Sequence, residues 1–204
     1  MTSCISAPKE QPASIIEKEN LVVENGQFTP ELLLQLGRVS DPQLSPDGSK
    51  ILYGVTYTSI KENRSVRELY VVNTDGSDNK VITHFSKSAS NARWYCDGSK
   101  ILFIQGGQIY QMNSDGSAIR QVSDIPGGIS EFKLSPDQTK VMYVSNVKYA
   151  TKPTDLYPDL DKSSGREIND LMYRHWDHFV EEIPHTFVSD VVAANGNLSV
   201  KAGK

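Results

Sequence analysis

The chain has 204 residues, enough for one or two ordinary domains with a core of their own. A hydrophobic content of 38% and a net charge of -4 favour neither a disordered chain nor nucleic-acid binding through bulk charge. No stretch approaches about 18 consecutive apolar residues, so no membrane span is predicted. Two cysteines, Cys4 and Cys96, are too few for a disulfide framework or a cysteine zinc site.

Residues 1–20 are polar, and we predict a flexible leader over residues 1–27. The opening Met1-Thr2-Ser3-Cys4 has no apolar stretch before it and is therefore no secretory signal as written. Its small residues resemble the end of a bacterial lipoprotein signal, which would place a lipid anchor on Cys4 and the protein in the periplasm or cell envelope. The alternative is an ordinary disordered terminus with an incidental cysteine.

The first predicted element is a short helix that follows the leader. Thr29 is a typical N-cap, Pro30 suits the first helical position, and Gly37 ends the apolar run between them.

A repeated module follows this helix. The run Ser45-Pro46-Asp47-Gly48-Ser49-Lys50 returns with Asp97 at its centre and again with Asp137, 40 residues later. A second module contains Asp75-Gly76 and returns at Asp115-Gly116, at the same interval. A period of about 40 residues, built of strand, tight turn and strand, is typical of β-propeller blades.

We therefore predict an all-β fold, a partial β-propeller that occupies 28–204. Its three blades lie at about 38–83, 88–123 and 129–200. Blade one contains about ten extra residues between its modules, around Thr58–Arg67, which indicate a longer surface hairpin. Cys96 replaces a turn proline and is predicted to be structural.

Blade three is interrupted by an insertion at about 146–183. After it, the run from His185 to Val191 matches the run from Glu68 to Asn73 in blade one, so the blade completes itself. Apolar residues inside the insertion recur at helical spacing and predict a helix near 166–180.

Two stretches carry a resemblance to a known family. The first is the opening from Phe28 to Tyr53. The second is the run Leu171-Met172-Tyr173-Arg174-His175-Trp176-Asp177 with the following His185-Thr186-Phe187-Val188. Both resemble bacterial prolyl oligopeptidase-family serine peptidases. The second stretch is similar to the dipeptidyl-peptidase 5 and acylaminoacyl-peptidase-like branch of Bacteroidetes type. The resemblance implies a propeller of seven or eight blades, followed by an α/β-hydrolase domain with a Ser–Asp–His triad.

The chain departs from that family pattern in two ways. None of its 14 glycines begins the G-x-S-x-G of a nucleophile elbow, and three blades are fewer than the roughly four to eight of a closed propeller. We therefore expect an inactive N-terminal fragment of a secreted serine exopeptidase, with short peptides as substrate and the hydrolase domain as its missing partner. The alternative is a TolB-like periplasmic binding propeller without catalysis.

Polar residues of the insertion are the candidate site. An H-x-x-H pair, His175 and His178, lacks the H-E-x-x-H pattern, so neither a metal nor another cofactor is predicted. In the related dipeptidyl peptidase IV branch a glutamate pair holds the amino terminus of the substrate. Glu181 and Glu182 resemble that pair in character, and the alternative is a solvated acidic turn.

Two interaction predictions complete the sequence-based interpretation. Arg174, Trp176 and Asp177 are expected to dock the insertion onto the propeller face or the hydrolase domain. Leu198 and Val200 continue an alternating strand, which would leave an open blade edge and favour self-association through blade three.

Overall fold

The structure is a computed structural model that describes residues 14–95, 97–149, 151–163, 165, 179–194 and 197–203. Within these residues the chain is mostly β-strand and forms three four-stranded sheets, with two short α-helices. The predicted all-β class is confirmed. The chain divides into two compact units, Met1–Gly106 with Gln111–Ile119, and Gly107–Tyr110 with Arg120–Lys204.

Helix α1 covers Pro30–Gln35 and begins as predicted. Thr29 caps it, because its Oγ1 accepts a hydrogen bond from the N–H of Leu32 at 3.3 Å. The helix ends at Gln35, with Leu36 as its C-cap residue, and Leu32 is its buried residue.

Sheet 1 consists of β1 (Arg38–Leu44), β2 (Lys50–Ser59), β3 (Arg64–Asn73) and β4 (Lys80–Val81), in that order and antiparallel. Strands β2 and β3 pair without interruption from Lys50 opposite Asn73 to Ser59 opposite Arg64. The extra residues between the two modules of blade one therefore lengthen a hairpin, as predicted.

Sheet 2 consists of β5 (Ser90–Trp94), β6 (Lys100–Gln105), β7 (Gln108–Asn113) and β8 (Arg120–Gln121). Sheet 3 consists of β9 (Glu131–Leu134), β10 (Lys140–Lys148), β11 (Glu182–Ala194) and β12 (Asn197–Val200). The chain leaves sheet 3 after Lys148 and returns opposite it at Glu182. The excursion between them contains α2 (Pro153–Leu156), whereas most of the helix predicted near 166–180 lies outside the described residues.

The repeat predicted between sheets 1 and 3 extends to side-chain packing. Tyr53 and Tyr70 stack with ring centroids 5.5 Å apart across β2 and β3, and Tyr143 and Phe187 stack at the same distance across β10 and β11. Each pair also occupies directly opposed register positions. The predicted match between the two runs is therefore confirmed.

The aspartates of the repeated turns organise hydrogen bonds within each turn. Asp47 accepts bonds from Ser45 Oγ at 2.6 Å and from Ser49 N–H and Oγ at 3.1 and 2.8 Å. These donors, Ser45 first, lower the pKa of Asp47 to about 2. Asp137 is bonded in the same way by Ser135 and Thr139.

The leader contacts sheet 1, which its composition does not indicate. Ile16 is only 6% exposed and packs with Val55, Tyr57 and Val66 on one face of the sheet. Ser14 also hydrogen-bonds to Glu62 at the tip of the long hairpin. Part of the segment predicted as flexible therefore covers an apolar face of sheet 1. The contact removes Ile16 and the aromatic and β-branched side chains of that face from water.

The last strand differs from the expectation of an open edge. Leu198 and Val200 are buried, and the N–H of Val200 donates to the carbonyl of Val122 at 2.7 Å. Part of the backbone edge of β12 is therefore hydrogen-bonded within the second unit. The prediction that Leu198 and Val200 leave this edge open is wrong at Val200.

Candidate functional site

Two ion pairs fix the excursion to the ends of β10 and β11. Lys152 Nζ lies 2.6 Å from Glu181 Oε2, and Lys148 pairs with Asp155 on α2. The N–H of Lys152 also donates to Asp155 Oδ2 at 2.7 Å. The side chain of Lys148 and this backbone bond keep the pKa of Asp155 below its usual value.

The two predicted substrate-binding glutamates lie at the return of the chain into sheet 3. Glu181 is half-buried and holds the ammonium group of Lys152, whereas Glu182 is exposed and stands opposite Lys148 in the β10–β11 register. Consecutive residues of an extended chain direct their side chains to opposite sides. The structure therefore shows the ammonium group of Lys152 bound to Glu181 alone. Binding of a substrate's amino terminus by Glu181 and Glu182 together stays a prediction.

The residues predicted to dock the excursion and its two histidines lie outside the described part of the chain. They are Arg174, His175, Trp176, Asp177 and His178. Their roles stay predictions. His185 is described and lies exposed on β11, opposite Ser145.

A polar cluster that the sequence-based interpretation missed lies between sheets 1 and 2, within the first unit. We call Asp41, Arg67 and Arg93 the arginine cluster. Arg93 Nη1 donates to Asp41 Oδ2 at 2.8 Å, and Arg67 Nη2 lies 3.9 Å from the same oxygen. Asp41 adopts a left-handed φ of 52° at a register break in β1, and Gln43 Nε2 donates to its Oδ1 at 2.9 Å.

The sequence did contain one signal for this cluster. Gly54 stands in the middle of β2, where the repeat places Ile104 in β6 and Val144 in β10. A glycine inside a strand often marks the close approach of another group. An added Cβ at Gly54 would lie closer than 3.0 Å to the guanidinium of Arg67, which crosses the sheet at this point.

A buried carboxylate on β3 has a structural explanation. Glu68 accepts hydrogen bonds from Thr83 Oγ1 and from the N–H of Phe85. Forty residues later, Gln108 Oε1 accepts the equivalent bonds from Ser123 Oγ at 2.7 Å and from the N–H of Ile125 at 2.9 Å. Since a neutral amide performs the same task in sheet 2, Glu68 secures the connection after β4 and is no candidate for catalysis.

Two shallow grooves offer space but no catalytic arrangement. One of about 340 Å³ is lined by residues 81–85 and the Asp115-Gly116 turn, and one of about 600 Å³ by residues 121–124 and 199–202. In the part of the chain that the structure describes, no three histidine, cysteine or acidic residues are grouped to hold a metal ion. Over the same residues, no helix has the length and apolarity needed to cross a membrane.

Comparison with known proteins extends this description. No family model matches the chain. A dipeptidyl-peptidase 5 of Porphyromonas gingivalis is 46% identical over 167 residues, 80% of this chain and 24% of that protein. A dipeptidyl-peptidase 5 of Porphyromonas endodontalis is 41% identical over 172 residues, 82% of this chain and 25% of that protein. The solved acylaminoacyl peptidase of Pyrococcus horikoshii matches with a TM-score of 0.57 at 18% identity, over 78% of this chain and 24% of that one.

The fold defines the class first: a chain of antiparallel four-stranded sheets, folded like part of an acylaminoacyl peptidase. The sequence then identifies the relatives. Over most of its length the chain is similar in sequence to dipeptidyl-peptidase 5, which confirms the resemblance predicted from its motifs. The chain spans about a quarter of the length of these curated relatives.

Proposed function

We propose that this chain is the propeller portion of a secreted serine exopeptidase that acts on short peptides. The observation that carries the proposal is its identity of 41–46% with dipeptidyl-peptidase 5 over four fifths of the chain. The chain has no G-x-S-x-G, so we assign the Ser–Asp–His chemistry to an α/β-hydrolase domain encoded beyond these 204 residues. The propeller would limit entry to small peptides.

Burial in the sheets supports a propeller with at least one further blade beyond sheet 3. Leu52 and Val71 in sheet 1 are 0% and 2% exposed, on the face that β5 approaches. Their repeat equivalents in sheet 3, Met142 and Val188, are 44% and 52% exposed and lie opposite each other in the register. A further sheet placed on Met142 and Val188 would bury them as their equivalents are buried.

The same exposed face is where we expect self-association of the isolated chain. The edge of β12 is partly paired at Val200, so contact would proceed through the face around Met142 and Val188. Sedimentation velocity of the chain and of the variant Met142→Lys/Val188→Lys tests this. We expect concentration-dependent association that the double variant abolishes, and a wild-type monomer at all concentrations would contradict it.

We assign the amino terminus of the substrate to Glu181 and Glu182, with Lys152 as the internal cation that a substrate ammonium would replace on Glu181.

We further propose a lipid anchor at Cys4 and a location in the cell envelope. Both parts of the proposal concern the whole protein, and they are tested by glutamine variants of the glutamates and by mass spectrometry of the native amino terminus.

The direct test of the proposal uses the purified chain beside the full-length gene product. Dipeptidyl and acyl-aminoacyl chromogenic substrates should be hydrolysed by the longer protein only, and a fluorophosphonate probe should label the longer protein only. Turnover with labelling of a serine in these 204 residues would contradict the assignment of catalysis. A downstream reading frame with more blades but no G-x-S-x-G would favour the alternative, a binding propeller without catalysis.

A further inference from the structure

The arginine cluster has an excess of positive charge. It contains two guanidinium groups, Arg67 and Arg93, and one carboxylate, Asp41. Among the described residues, Asp41 and Arg93 are the charged groups that act on Arg67. Burial is the first cause that lowers the pKa of Arg67, and Arg93 adds to it against the opposing effect of Asp41.

The hydrogen bonds of the cluster are also incomplete. Arg67 Nη2 donates to the carbonyl of Ser40 at 3.2 Å but is beyond hydrogen-bond distance of Asp41, and its buried Nε has no hydrogen-bond partner among the described residues. Arg93 uses Nη1 for both Asp41 and the carbonyl of Ala92. Because a guanidinium has five N–H donors, several donors of the two arginines remain for another acceptor.

The cluster is partly shielded but open to solvent. The side chains of Asp41 and Arg93 are each 27% exposed, and that of Arg67 is 17% exposed. Charge pairs in such half-buried surroundings are stronger than fully exposed ones, because water screens them less. A planar carboxylate fits the fork of a guanidinium with two parallel hydrogen bonds.

We infer that Arg67 and Arg93 form a binding site for a carboxylate, supplied by the free carboxyl terminus of a short peptide or by a small free acid. Gly54 makes room for Arg67 to reach the site, and the left-handed Asp41 holds Arg93 in place beside it. The peptide as a source rests on the proposed function, whereas the site itself does not.

The experiment measures thermal unfolding of the 204-residue chain in sodium acetate and in sodium chloride at equal ionic strength, and titration calorimetry with glycylglycine and with glycylglycine amide. We expect acetate to raise the melting temperature above that in chloride, and glycylglycine to bind where its amide does not. Binding of acetate without glycylglycine would also support the site and would assign it to small acids. No difference between acetate and chloride, with no heat from glycylglycine, would overturn the inference.

Variants separate a carboxylate site from an ion pair that only joins the sheets. Arg67→Met and Arg93→Met should each lose the response to acetate, while Arg64→Met, whose arginine pairs with Glu62 elsewhere on sheet 1, should keep it. Asp41→Asn should bind acetate several-fold more tightly, since it removes the competing internal carboxylate. Where a methionine variant does not fold, Arg67→Lys and Arg93→Lys retain the charge without the fork and should weaken binding several-fold. An equal effect of acetate on the melting temperatures of the wild type and of the folded arginine variants would overturn the inference. These measurements do not depend on peptidase activity.

Discussion

Arg67 lies directly over the backbone of Gly54. The two residues stand on neighbouring strands, β3 and β2, and the guanidinium occupies the space where any other residue would carry its Cβ. This arrangement lets a long side chain cross β2 and reach Ser40 and Asp41 on β1. Because Gly54 has no side chain, Arg67 can link strands β1, β2 and β3 of sheet 1.

Replacing Gly54 with alanine should displace Arg67 and destabilise the chain by about 1–3 kcal/mol, as overpacking does. Chemical denaturation of Gly54→Ala, Arg67→Ala and the double variant measures the coupling between the two sites. We expect the double variant to lose less stability than the sum of the single variants. Additive losses would show that the guanidinium does not depend on the glycine.

Glu68→Gln should leave the free energy of unfolding within about 0.5 kcal/mol of the wild type, because Gln108 makes the equivalent hydrogen bonds in sheet 2. Glu68→Ala should cost about 1–3 kcal/mol, since it leaves the N–H of Phe85 and the hydroxyl of Thr83 without this acceptor. Urea unfolding compares the two variants. A large loss in the glutamine variant would mean that the negative charge itself is required.

Ile16→Ala should destabilise the chain by about 2 kcal/mol, through the loss of buried apolar surface on sheet 1. The neighbouring Ile15 is 43% exposed and provides the matched control: Ile15→Ala should change stability by less than about 0.5 kcal/mol. Thermal unfolding of the two variants distinguishes them. Equal melting temperatures would show that the leader does not contribute to the fold in solution.

The turn aspartates should make the chain sensitive to acid. The folded pKa of Asp47 is depressed from 3.8 to about 2, so its contribution is complete above pH 3.8 and is lost as the pH falls towards about 2. The pKa values of Asp75, Asp97, Asp115 and Asp137 are lowered by similar serine and threonine donors.

Urea midpoints measured across this pH range should fall more steeply for the wild type than for Asp47→Asn, which does not titrate there. Ser45→Ala removes the hydrogen bond that lowers the pKa of Asp47 most, so the loss of stability should begin closer to pH 3.8. Parallel curves for the three proteins would contradict a role of this carboxylate in acid stability.

The regular part of the fold could be predicted from the sequence because it depends on local patterns. The Asp-Gly turns, the alternating strands and the cap at Thr29 each require only neighbouring residues. The position of Ile16 could not be predicted in this way, because this isoleucine acquires its partners Val55, Tyr57 and Val66 only when distant strands assemble. The same holds for Val200, whose edge bond depends on Val122, far away in the chain.

The site was harder to predict than the fold. The prediction for Glu181 and Glu182 depends on their likeness to a pair in related enzymes, and nothing in the local sequence shows that Lys152 reaches Glu181. Members of the arginine cluster are 52 residues apart at their widest, Asp41 to Arg93, and meet through sheet packing. The local sequence signal for the cluster is Gly54, which stands where the repeat has Ile104 and Val144.

The contact between Ile16 and sheet 1 also bears on the order in which the chain can bury its apolar surface during synthesis. A protein is made from its amino terminus, so the segment that covers Val55 and Val66 leaves the ribosome before the strands that it covers. Leu52 and Val71, on the opposite face, have to wait for β5, which is synthesised later. The nascent sheet 1 therefore leaves one of its two apolar faces uncovered until β5 is made, which reduces the surface available for premature association.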